Sequence, residues 1–267
     1  MKILLTLSYL GTDFSGYQVQ KNARTVQGEL NAAVRSLFGY DCDITGCSRT
    51  DAGVHANIFC AAVTKKGESY LETHISEDKI PAAMNAHLPA DVSVERAEWV
   101  SDGFHPRYDV KFKEYIYKIY NRHARNPFTE GRAWHITYAI DEGTIEMMNR
   151  AAQHFVGKHD FSAFMASGST VESTIREVKY AEVTKKGDEI VFKVAADGFL
   201  YNMVRIMTGT LVAVAQGKIT PEEIPCIISS CDRQRAGMTA PAEGLYLNRV
   251  FYNDPEKEGY HAETESL

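Results

Sequence analysis

Between Asp197 and Lys218 the chain runs GFLYNMVRIMTGTLVAVAQG, twenty residues with a single charge, Arg205. The stretch is too short, and too interrupted by Asn202, Thr208, Gly209 and Thr210, to span a bilayer, so it reads as a core helix from about Phe199 to Gln216. A guanidinium on a core helix cannot be left unpaired, because an unpaired buried charge costs too much. Arg205 therefore asks for a carboxylate, and removing one partner of such a buried pair costs roughly 3–5 kcal/mol. A structural ion pair meets that need, and composition alone favours it. A second arrangement also meets it, in which Arg205 holds a catalytic aspartate ionised and aimed.

The rest of the chain supplies the layers around that helix. Ile3–Leu10, Ile58–Val63 and Val92–Val100 read as strands, with a polar, helical stretch at Ser76–Asn85. Thr25 can cap a helix whose apolar stripe is Val26, Leu30, Ala33, Val34 and Leu37, ending at Gly39. The pattern breaks at Ser101-Asp102-Gly103 and then starts over. Tyr115–Tyr120 reads as a strand, and Asp141 caps a helix carrying Ile145, Met148, Ala152 and Phe155, stopped by Gly157. Ile175–Val183 and Glu189–Ala195 flank the hairpin signal Lys185-Lys186-Gly187-Asp188, and a last strand lies near Leu245–Phe251. The expected class is α+β in two domains, 1–103 and 104–252, each an antiparallel sheet with helices on one face, followed by an acidic tail over 253–267.

Charge distribution decides which partners are open to this chain. The net charge is −6, but the tail alone contributes −4, while residues 105–135 carry seven Lys/Arg against three Asp/Glu. There FHPRYDVKFKEYIYKIYNR interleaves Phe104, Tyr108, Phe112, Tyr115, Tyr117 and Tyr120 with Arg107, Lys111, Lys113, Lys118 and Arg122. Cations that track phosphates beside rings that stack on bases are what RNA binding needs. A strand with one tyrosine face in the core would show the same pattern. The five cysteines form no C-x-x-C pair, which fits reduced thiols in a cytoplasmic protein and gives no metal framework. Met1-Lys2 leads straight into a short strand, so no signal peptide is expected.

Residues 46–56, GCSRTDAGVHA, have no apolar periodicity that packing would explain. Gly46 and Gly53 bracket a charged loop, which is where a site can sit. Asp51 is the acid to pair with Arg205: a free aspartate is a carboxylate at neutral pH and can act as nucleophile or base without activation. An Asx-turn would use the same residue, and His55, with no cluster around it, reads as a hydrogen-bonded structural group.

SRTDAGVHA resembles the signature loop of the tRNA pseudouridine synthase A (tRNA pseudouridine synthase I) family, and other stretches follow in family order. These are YLGTDFSGYQ at 9–18, TVQGEL at 25–30, FHPRYDVKFKEYIY at 104–117, GKHDFSAF at 157–164, DGFLYNMVRIMTGTLV at 197–212 and AGMTAPAEGLYL at 236–247. The resemblance implies an isomerase that converts uridine to pseudouridine in the anticodon stem-loop of tRNA, at tRNA positions 38, 39 and 40. It implies Asp51 as the catalytic aspartate, Arg49 as an aid to nucleotide flipping, Tyr115 as the ring that stacks on the target base, and Arg205 as the salt-bridge partner of Asp51. Arg107, Lys111, Lys113 and Arg122 would bind RNA. It further implies sheets similar to RNA-recognition-motif folds with the active cleft between domains, a homodimer whose tRNA contacts both subunits, and no metal or cofactor. An ester at C1′, addition to the base and proton removal at C2′ all stay open for the aspartate. Ser48, Tyr17 and Met238 depart from the family's usual glycine, tryptophan and alanine. A catalytically silent RNA-binding module on the same scaffold is the rival reading, and an aspartate-dependent hydrolase of small substrates is a third. Retention of Asp51 and Arg205 argues against a pure binder, which has no use for a carboxylate facing phosphates; the hydrolase lacks a second placed acid or a metal cluster.

Overall fold

A computed structural model describes residues 1–168 and 171–253. Apart from Asn253, the acidic tail expected over 253–267 lies outside the described residues. The chain is a mixed α/β fold built on one large, mostly antiparallel sheet. Its strands are β1 (Lys2–Tyr9), β2 (Cys42–Gly46), β3 (His55–Lys65), β4 (Val92–Val100), β5 (Phe112–Asn121), β6 (Trp134–Ile136), β7 (Gly157–Asp160), β8 (Ile175–Lys186), β9 (Glu189–Ala196) and β10 (Leu245–Phe251). The order is β4-β1-β3-β10-β5-β9-β8-β7, with β2 on β3 and β6 on β5.

The two sheets expected of the two halves thus meet edge to edge as one. The seam is β10, the last strand in sequence, inserted between β3 of the first half and β5 of the second. It runs parallel to β3, with Tyr246 opposite His55 and Leu247 opposite Ala56, and antiparallel to β5, with Leu247 opposite Tyr115. This seam brings the start of β3, where the loop 46–54 ends, next to Tyr115.

Helix boundaries follow local chemistry. In α1 (Val26–Phe38) the Thr25 hydroxyl accepts from the Gly28 N–H, and Gly39 closes the helix in the left-handed region at φ 77°. In α3 (Glu142–Gln153, after the short α2 at Ile80–Asn85) the Asp141 carboxylate accepts from the Thr144 N–H. This helix ends three residues earlier than the sequence pattern suggests, and Gly157, at φ 111°, begins β7 instead of stopping the helix. Phe155 stays buried past the helix end.

The apolar segment forms α4 (Met203–Ala215), with ten of its thirteen residues buried. The Thr208 and Thr210 hydroxyls donate back to the Val204 and Ile206 carbonyls at 2.8 Å, so their polarity is absorbed within the helix. Gly209 lets the segment 236–240 lie directly on α4: a Cβ there would come within 1.8 Å of the Met238 carbonyl oxygen. The helix starts later than expected. Asn202 takes a left-handed conformation, φ 60°, which a helix interior does not admit, so Phe199–Tyr201 leave the helical path. A short α5 (Ile224–Ser230) follows. The five cysteines are free, and among the described residues no helix is long and apolar enough to cross a membrane.

Candidate active site

The loop 46–54 is held from below by the segment 11–17. The Tyr17 N–H donates to the Thr50 carbonyl at 3.1 Å, the Gly53 N–H to the Phe14 carbonyl at 3.2 Å, and the Thr50 and Tyr9 hydroxyls share a 2.7 Å bond. Gly11 is needed for that approach, because a Cβ on it would fall 2.0 Å from the Val54 carbonyl oxygen. The glycines of YLGTDFSGYQ therefore serve the Asp51 loop by letting two backbones touch.

His55 fastens the other side. Its Nδ1 accepts from the Gly11 N–H at 2.9 Å, which leaves Nε2 carrying the proton and donating to the Glu243 carbonyl at 3.0 Å. Burial holds this imidazole below the usual histidine range, so it is a neutral strut between three chain segments. Its ring also stacks on Tyr246 with centroids 4.5 Å apart.

Asp51 sits at the top of the loop and lines a cavity of about 420 Å³. Ser48, Arg49, Arg107, Lys113 and Tyr115 share its wall with the Phe199–Val204 segment. The Asp51 carboxylate is half-buried and accepts no hydrogen bond among the described residues. Burial raises it above the usual carboxylate range, and the positive charge of Arg205 pulls the other way. A carboxylate so placed is a stronger base than a free aspartate.

The expected contact ion pair between Asp51 and Arg205 is absent: among the described residues Arg205 makes no contact with a carboxylate. Its Nε donates to the Ala240 carbonyl at 2.7 Å and Nη1 to the Asn202 side-chain oxygen at 2.8 Å. The physical reason is partial exposure. Arg205 is half-buried at the first turn of α4, so neutral acceptors and solvent meet its needs and a buried counter-charge is not required. Its influence on Asp51 acts through space.

Tyr115 is 7% exposed and donates or accepts at 3.1 Å with the Ser48 hydroxyl, while Phe199 meets its ring edge-on at 4.9 Å. Burial raises its phenol well above the usual tyrosine value, so the hydroxyl stays protonated. Ser48, a departure from the family's glycine, thus gains a direct bond to the ring across the cleft.

The basic residues separate into groups. Arg49 and Arg107 are exposed, line the cavity, and have guanidiniums with no hydrogen bond or ion pair among the described residues. Lys113 turns inward: its Nζ donates to the Cys47 carbonyl at 2.5 Å, and burial, then the nearby Arg107, hold its ammonium below the usual lysine value. Lys111 is exposed and lies outside the cavity wall. Arg122 is seven residues past Tyr115, roughly 23 Å along the strand direction, and pairs with Asp188 at 3.2 Å. The structure therefore groups Arg49, Asp51, Arg107, Lys113 and Tyr115 at one cavity and leaves Lys111 and Arg122 apart from it.

A cavity joining a carboxylate, three cations and a buried tyrosine matches the loop pattern in the sequence, and comparison with known proteins decides the family. The sequence profile described as tRNA pseudouridine synthase matches residues 6–109 and 151–253. The chain belongs to the tRNA pseudouridine synthase family. It is 44% identical over 252 residues to a protein named tRNA pseudouridine synthase A from Ruminiclostridium cellulolyticum. It is 43% identical over 251 residues to one so named from Acetivibrio thermocellus, and 41% over 254 residues to one from Brevibacillus brevis. Each alignment covers 94% of this chain and 99% of the relative.

For this tRNA pseudouridine synthase family member, the sequence left several wall residues unmarked. Phe199, Leu200 and Tyr201 were hidden inside an apolar run that reads as helix, and only Asn202, a residue tolerant of left-handed backbone, signals the break. Tyr201 is 47% exposed at the cavity mouth, where a core helix would not leave an aromatic ring.

Proposed function

We propose that this chain, an isomerase of the tRNA pseudouridine synthase family, converts uridine to pseudouridine in the anticodon stem-loop of tRNA with Asp51 acting on a flipped nucleotide. The observation that carries the reading is the half-buried Asp51 carboxylate, raised by burial, in a cavity walled by Arg49, Arg107, Lys113 and Tyr115.

The reaction breaks the N1–C1′ bond, turns the uracil and joins C5 to C1′; the proton on C5 leaves to solvent and N1 takes up a proton in its place, so product and substrate are isomers. The uridine first has to leave its stack, at a cost of a few kcal/mol. Stacking against the Tyr115 ring returns about 1–3 kcal/mol, and the exposed guanidiniums of Arg49 and Arg107 take the flanking phosphates. Asp51 then acts at the ribose or the base as nucleophile or base. A rigid loop helps here because positioning contributes more than basicity once the nucleotide is bound. Lys113 adds positive charge deeper in the wall, where it balances the carboxylate and the incoming phosphates. Arg205, on the first turn of α4, acts on Asp51 through its positive charge. A homodimer with tRNA contacting both subunits, and a cytoplasmic location, belong to the same proposal.

Transcripts of tRNA labelled with tritium at uracil C5 test it. Wild-type protein is expected to release tritium to water, with the product mapping to positions 38, 39 or 40. Binding without release would instead support the silent RNA-binding module.

A further inference from the structure

A second pocket lies on the far side of the active loop. It measures about 210 Å³ and shares Ser48, Arg49 and Arg107 with the active cavity, so the two are separated only by that ridge. Tyr17 and Ile44, both buried, form its inner part with Gly46, and His105 and Tyr108 its rim.

The rim is a ready-made stack. Tyr108 is 76% exposed, and its ring lies on the His105 ring with centroids 4.1 Å apart at 27°. The imidazole is fixed before any ligand arrives: its Nδ1 accepts from the Arg107 and Tyr108 N–H groups, each at 3.2 Å, while the His105 N–H donates to the Asp109 carboxylate at 2.8 Å. A flat, preformed stack with one free aromatic face accepts a base at little ordering cost.

The inner part holds an unmet donor. Among the described residues, Tyr17 carries the one buried side-chain polar atom without a hydrogen-bond partner, its hydroxyl. Burial raises that phenol far above the usual value, so it remains protonated and needs an acceptor. Gly46 stands in front of it, and a Cβ there would fall 2.7 Å from the hydroxyl oxygen. An unpaired buried hydroxyl costs about 1–3 kcal/mol, and a carbonyl or ring nitrogen on a base edge would satisfy it.

We propose that this pocket receives the base of a nucleotide adjoining the target uridine, stacked on Tyr108 and read at its edge by the Tyr17 hydroxyl, with the intervening phosphate on the Arg49–Arg107 ridge. The proposal rests on the reading of the active cavity given above, and it makes Tyr108 and Tyr17 determinants of sequence context.

Binding of anticodon stem-loop RNAs, followed by fluorescence anisotropy at one fixed salt concentration, tests it. RNAs abasic just 5′ or just 3′ of the target uridine are compared with intact RNA on wild type, Tyr108→Ala and Tyr108→Phe. Stacking of 1–3 kcal/mol corresponds to a roughly 5- to 150-fold weaker Kd for one of the two abasic RNAs on wild type. Tyr108→Phe should keep that ratio, and Tyr108→Ala should bring it near one. Equal affinity of wild type for all three RNAs would overturn the proposal, as would a full abasic penalty on Tyr108→Ala. Tritium release from the intact RNA is read separately, so a failure of the isomerase reading shows in release and a failure of the pocket shows in the abasic ratio.

Discussion

Asp51 and His55 lie four residues apart at the two ends of one turn, and the structure treats them in opposite ways. His55 has both ring nitrogens bonded, a stacked neighbour and a neutral charge state fixed by burial. Asp51 is half-buried with no hydrogen bond to its carboxylate among the described residues, and burial makes its charged form costly. Both ring nitrogens of the histidine are satisfied inside the fold, whereas the aspartate's carboxylate faces the cavity with no hydrogen-bond partner among the described residues. A site is thus recognised by what the fold leaves unsatisfied, and the neighbouring strut is what keeps the unsatisfied group in place.

The comparison breaks first at His55. His55→Ala leaves the Gly11 N–H and the Glu243 carbonyl without partners, so thermal unfolding should show a loss of roughly 2–4 kcal/mol. Turnover by the fraction that remains folded should fall less than tenfold. A variant as stable as wild type would remove His55 from its role as strut.

The two groups also respond to pH with opposite signs. The folded-state value of His55 is lowered, so it contributes stability that is present above the ordinary histidine range and lost as pH falls through its folded value. The folded-state value of Asp51 is raised, so it favours the fold at pH below the free aspartate range and loses that contribution as pH rises through its folded value. At neutral pH the ionised Asp51 therefore costs stability. Arg205→Met removes the positive charge that opposes the shift, so the acid limb of the kcat/KM profile should move toward neutral pH. An unmoved limb would show that Arg205 has no electrostatic hold on Asp51.

Tyr17 sharpens the comparison at the smallest scale. Its hydroxyl is unsatisfied like Asp51, so Tyr17→Phe should raise stability by about 1 kcal/mol, seen as a Tm increase of a few degrees. A Tm decrease would mean that the hydroxyl already has a partner in solution.

Much of the local structure was legible because its causes are local. Thr25 and Asp141 cap helices through bonds to residues three positions on, and Gly187 turns the β8–β9 hairpin at φ 59°. The short strands β2, β6 and β7 and the helix α5 were not legible, since three to seven residues carry too little periodicity. Nor was the β3–β10 seam, which pairs residues some 190 positions apart and turns two sheets into one. At the site, the loop and the basic-aromatic strand left structural readings open, and the family resemblance singled out Asp51, Arg49 and Tyr115; these line one cavity with Arg107 and Lys113, while Lys111 and Arg122 do not. The burial argument for Arg205 asked for a carboxylate and met a carbonyl and an amide instead, because that side chain is only half-buried.

The most direct measurement compares wild type with Asp51→Ala on the same C5-tritiated tRNA, recording tritium release and tRNA binding together. The account predicts that release falls by at least about 10²–10⁴-fold while Kd for tRNA changes little. Release retained by Asp51→Ala would contradict it, and so would a loss of release explained wholly by lost binding.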